Sequence, residues 1–103
     1  MAWPRKLNIA GKPYKVTYCK SMADVDPSGE EMLWGWHSST RREIRVYSDC
    51  SEADLWDTLL HEADHAIIDE RPALKAILGE GEEAFVGDHA SAFVDFLLRN
   101  RLV

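Results

Sequence analysis

Hydrophobic and polar residues alternate in the first half of the chain and then change period. Tyr14, Val16 and Tyr18 alternate with Lys15 and Thr17, the two-residue repeat of a strand with one buried face. Leu7-Asn-Ile9 predicts a shorter strand before it, with Gly11-Lys-Pro13 as the turn of a hairpin. Ser21 to Glu31 contains Asp26-Pro-Ser-Gly29 and reads as a loop. Leu33-Trp-Gly-Trp-His37 and Glu43-Ile-Arg-Val-Tyr47 predict two further strands around a turn at Ser38 to Arg41. Gly35, between Trp34 and Trp36, marks a bulge, a close approach of another backbone, or a packing or twist role.

After Asp49 the repeat becomes helical. Ser51 is an N-cap with Asp54 three residues on, close to a capping box. The helix carries Leu55, Trp56, Leu59, Leu60, Ala63, Ala66 and Ile67 and stops before Pro72. Pro72 to Leu78 predicts a short helix opened by proline and closed by Gly79. After Glu80-Gly81, a last helix runs from Glu82 to about Asn100, with Phe85, Val86, Ala90, Phe93, Val94, Phe96 and Leu97 as a broad apolar face. The expected fold is a single α+β domain over residues 1–103: a small, mainly antiparallel sheet followed by two principal helices.

At 103 residues, 46% hydrophobic and 29% charged, the chain suits one globular domain with a real core. A net charge of −6 argues against nucleic acid as the main ligand, because neutralising phosphates needs a basic surface. Arg41, Arg42 and Arg45 are the only local basic concentration and read as a solvated turn and strand face. No apolar run follows Met1 to Lys6 and none reaches membrane-spanning length, so a cytoplasmic protein with no membrane partner is expected. Cys19 and Cys50 lack metal-type spacing and predict neither a disulfide framework nor a cysteine zinc site.

The chemistry lies in the long helix, where Leu60-His-Glu-Ala-Asp-His-Ala66 contains H-E-x-x-H. Residues i and i+4 share a helix face, so His61 and His65 can reach one zinc ion while Glu62 points to its open side. Catalytic zinc usually takes three protein ligands. Asp69 continues the series, but eight residues of straight helix span about 12 Å and exclude a shared ion. The third ligand must come from another element. Glu83, at the start of the last helix, is the leading candidate because it shares a face with Gly87, Ala90 and Val94, whose small members allow close helix approach. Glu82 is the substitute, and His89 of the same helix is a further alternative.

Leu59-Leu-His-Glu-Ala-Asp-His-Ala66 with a following Glu83 resembles the zincin metallopeptidases of the gluzincin type. In scale and element order, roughly Glu43 to Asn100 is similar to the minimal zinc peptidases, including small phage-encoded ones, and to the core of SprT-like and ImmA/IrrE-like proteins. Many gluzincins carry an Asp four residues beyond the ligand Glu, where this chain has Gly87; Asp64 is polar where many relatives are neutral, and is expected to face solvent. The resemblance implies zinc-dependent hydrolysis of a peptide or protein, with Glu62 as the base acting on the attacking water. It also implies an oxyanion donor, for which His37, Tyr14, Tyr18 and Tyr47 are candidates, although each fits a packing role better. His89 either supports a ligand or covers the helix surface. The strand Glu43 to Tyr47, preceding the motif helix, is expected to be the sheet edge above the cleft, open to an extended peptide.

Two other function classes remain open at this point. One is a catalytically silent zinc-binding regulatory or interaction domain, against which an intact Glu62 speaks, since structural zinc has no use for a base. The other is a helix-packing module without metal.

Overall fold

The computed structural model describes residues 3–103, so the first two residues of the N-terminal segment lie outside it. The first hairpin pairs β1 (Lys6–Ile9) with β2 (Lys12–Cys19). Its turn is Ala10-Gly11, both with positive φ, a two-residue connection suited to the strand twist. The turn therefore falls earlier than the expected Gly11 to Pro13. Pro13 sits in β2 opposite Asn8, beyond the stretch from Lys15 that pairs on the other side, so its missing N–H interrupts no second ladder.

A second hairpin joins β3 (Gly35–Ser38) to β4 (Glu43–Tyr47). The sheet order is β1-β2-β4-β3. Both hairpins are antiparallel, but they join through a parallel β2–β4 pairing, from Lys15 opposite Glu43 to Cys19 opposite Tyr47. The sheet is therefore mixed. This order corrects the expected edge: β4 lies inside the sheet, and β3 borders the helices as the edge strand. The intervening loop is anchored by a 3-10 turn at Met22–Asp24 and by fully buried Val25.

One face of the sheet carries Tyr14, Val16, Ile44 and Val46, all buried. They form the core with Leu55, Trp56, Leu59, Ala63 and Ala66 of α1 (Glu52–Asp69). The Ser51 side chain accepts from the Asp54 N–H at 3.1 Å, as the N-cap reading predicts. Helix α2 (Pro72–Leu78) has Pro at its start and Gly79 at its end, and it buries none of its residues.

Helix α3 (Glu82–Arg99) packs on α1 through Val86, Ala90 and Val94. Gly87, expected at this interface, is exposed. The broad apolar face is also divided: Phe85, Phe93 and Phe96 are 41%, 45% and 51% exposed, in a stacked row with His89. A helix this amphipathic satisfies its neighbour with one narrow stripe, and the aromatic stripe faces outward. No helix among the described residues is long and apolar enough to cross a membrane.

Candidate metal centre

His61, Glu62 and His65 lie in the middle of α1, facing β3 and the start of α3. They line an open cleft of about 350 Å³ together with Gly35, Trp36, His37 and Glu83. The Glu83 carboxylate lies between the two histidines, with Oε1 2.9 Å from His61 Nε2 and Oε2 2.8 Å from His65 Nε2. Donor atoms of these three residues lie within 4.8 Å of one another. Donors around a tetrahedral zinc, at bond lengths near 2.1 Å, are about 3.3 Å apart, so small side-chain rotations bring this set into range. Two imidazoles and a carboxylate fit the donor chemistry of a three-ligand zinc site with a fourth position toward the cleft.

Glu82, weighed above as a substitute ligand, has a separate place. Its Oε2 is 2.6 Å from His65 Nδ1, which makes Nδ1 the donor there and leaves Nε2 as the ring atom that faces Glu83. Lys75 of α2 bridges Glu82 Oε1 at 2.9 Å and Asp69 Oδ1 at 2.7 Å. Burial works against a charge on Glu82, but its hydrogen bonds from Lys75 and His65 outweigh this and hold its carboxyl below the usual range. The hydrogen bonds that Lys75 donates to Asp69 and Glu82 hold its ammonium above its ordinary pKa.

Glu62 is buried and hydrogen-bonded to His37, with Oε1 2.8 Å from Nδ1. His37 Nε2 is 3.5 Å from Asp69 Oδ2, and its ring stacks on His65 with centroids 5.1 Å apart. Burial opposes charging His37, but the hydrogen bond and charge of Glu62, with Asp69 and Glu82, hold its pKa above the ordinary value. Gly35 explains how β3 comes so close: a Cβ there would lie 2.7 Å from Glu62 Cγ and 2.7 Å from its Oε2. Of the meanings open for Gly35, close approach is the one the fold uses, against a side chain.

Sequence reasoning undervalued His37, which favoured a packing role. The only available signal was its position two residues after Gly35, on the same strand face. The other three oxyanion candidates lie elsewhere: Tyr14 donates to Glu70, Tyr18 to the Pro4 carbonyl, and Tyr47 packs edge-on against Trp34. His89 is outside the cleft, 2.6 Å from Asp64. Asp64 is therefore paired, where a solvent-facing side chain was expected. Asp69 pairs with His37 and Lys75 and stands apart from the donor group of His61, His65 and Glu83. Arg41 and Arg45 pair with Glu43 and lie over Trp36.

No family model, no curated protein and no solved structure matches this chain.

Proposed function

We propose that this protein is a zinc metallopeptidase, a minimal gluzincin-like zincin that hydrolyses peptide bonds in a peptide or protein substrate. The observation that carries the proposal is the separation of roles in one cleft: His61, His65 and Glu83 converge on one point, while Glu62 faces the same cleft held by another residue. A site built only to store metal has no need of a carboxylate kept out of the donor set, and this favours catalysis over the silent zinc-binding alternative.

When bound, zinc supplies Lewis acidity and makes water acidic near neutral pH. His61, His65 and Glu83 hold the ion, and Glu82 fixes the tautomer of His65. Glu62 takes a proton from the attacking water and delivers it to the amine nitrogen as the C–N bond breaks. The edge strand β3, not β4, borders the cleft and offers its backbone to an extended substrate. Free Cys19 and Cys50 suit a reducing compartment, and we place the activity in the cytoplasm.

The test measures zinc content and peptide hydrolysis for wild type, Glu62→Ala and Glu83→Ala. The Glu62 variant is expected to retain one zinc and lose roughly 10²- to 10⁴-fold in rate, while the Glu83 variant loses zinc affinity itself. A wild-type chain that takes up no zinc, or a Glu62 variant that cleaves at the wild-type rate, removes the proposal.

A further inference from the structure

Glu62 has three rotatable side-chain bonds and sits beside two imidazoles and a third donor. Left free, such a carboxylate can swing into the donor set as a fourth ligand and stop being a base. Two features of β3 oppose that motion. Gly35 brings the strand backbone against the Glu62 side chain, leaving no space for even a methyl group between them. His37, two residues on and therefore on the same strand face, reaches Glu62 Oε1 through Nδ1 at 2.8 Å.

His37 is itself held. Its Nε2 lies 3.5 Å from Asp69 Oδ2, its ring lies flat against His65 at an interplanar angle of 5°, and Asp69 is fixed in turn by Lys75. Glu62 and Asp69 are seven residues apart on α1, two turns along one face, about 10.5 Å of helix. The imidazole spans that gap and ties the edge strand to the helix at the place where the base is needed.

We propose that His37 is a positioning residue for Glu62: it fixes the carboxylate as a base directed into the cleft and keeps it out of the metal's donor set. This rests on the metallopeptidase reading above and adds a residue to it. A base misplaced by about 1 Å costs on the order of 10² in rate, so the role has a measurable size.

The two amide side chains distinguish the role from simple packing. The amide of Asn reaches about as far as Nδ1 of His, and that of Gln about as far as Nε2, so only His37→Asn restores the donor to Glu62. His37→Ala and His37→Gln are expected to lower kcat by roughly ten- to a hundredfold, with KM within about twofold and zinc stoichiometry unchanged. His37→Asn is expected to recover most of that loss. Equal loss in the Asn and Gln variants, an unchanged kcat in His37→Ala, or a loss expressed as zinc release overturns the proposal.

A second readout uses zinc-free protein and needs no activity. His37→Ala, Glu62→Ala and the double variant are compared by denaturant unfolding, and a charge-assisted hydrogen bond predicts coupling of about tenfold in the unfolding constant. No coupling removes the contact and the proposal with it. Coupling in a protein whose wild type binds zinc and cleaves nothing removes the metallopeptidase reading instead, together with the catalytic role of the contact.

Discussion

Replacing Gly35 by alanine probes the site with a single methyl group. Ordinary carbon contacts are about 3.5–4.0 Å, whereas a Cβ at Gly35 meets Glu62 Cγ and Oε2 at 2.7 Å and Cδ at 3.0 Å. Either the Glu62 side chain or β3 must therefore give by about 1 Å. Glu62 is buried and tied to His37, so it has no free rotamer to take up the strain. Gly35 is not among the positive-φ residues, which leaves backbone conformation out of the effect. Overpacking at about 1–3 kcal/mol, offset by about 0.4–1 kcal/mol from a stiffer unfolded chain, predicts a net stability loss of about 0–2.6 kcal/mol. Displacing the base by that distance predicts a kcat lower by on the order of 10². The three atoms nearest the methyl group all belong to Glu62, so zinc stoichiometry should hold. The assay is kcat and KM on a peptide substrate, with zinc content and thermal midpoint on the same samples. A Gly35→Ala protein with wild-type kcat would refute the claim that the position of Glu62 matters, and one that loses zinc would show that β3 instead shapes the donor set.

Two further outcomes follow from the pairs around the site. Glu82→Gln leaves the three donors in place but weakens the acceptor on His65 Nδ1; zinc affinity measured by competition with a chelator should fall about 10- to 100-fold, and an unchanged affinity would return Glu82 to a surface role. At the far end of α1, Glu70 accepts from Lys12 at 2.6 Å and from Tyr14 at 2.8 Å. The Lys12 and Tyr14 hydrogen bonds hold the Glu70 carboxyl below its usual range, so its contribution to stability is complete above the ordinary Glu pKa and lost as pH falls through the lower folded value. Burial, then the Glu70 hydrogen bond, pushes Tyr14 from 10.0 up to about 12, so stability should fall as pH rises from about 10 to 12, by roughly 3 kcal/mol at most. Tyr14→Phe should reduce the alkaline loss in a pH series of unfolding curves, leaving the share that comes from Lys75; an identical series for both proteins would contradict it.

Features that depend on neighbours within a turn of helix or a pleat of strand were legible in the sequence. The cap at Ser51, the bounds of α2 at Pro72 and Gly79, the two hairpins and the i, i+4 placement of His61 and His65 all belong to this class. Exclusion of Asp69 from the donor set needed only the rise of a helix. The choice of Glu83 came close to tertiary information, because a carboxylate at the start of the next helix has few places to go. The supporting reason was less sound: Gly87 is exposed, and Val86, Ala90 and Val94 make the contact with α1.

The sequence by itself determined where the strands and helices lie and that His61 and His65 share one face of α1, because periodicity and capping act over a few residues. Only the tertiary structure decided that β4 pairs in parallel with β2 and leaves β3 as the edge. That order brings Gly35 and His37 to Glu62, while the docking of α3 on α1 sets Glu82 and Glu83 on different ring nitrogens of His65, pairs Asp64 with His89, and turns the phenylalanines of α3 outward. These relations join residues as many as 27 positions apart, as Gly35 and Glu62 are. They depend on sheet order and on the rotation of one helix against another, and neither is fixed by any local repeat.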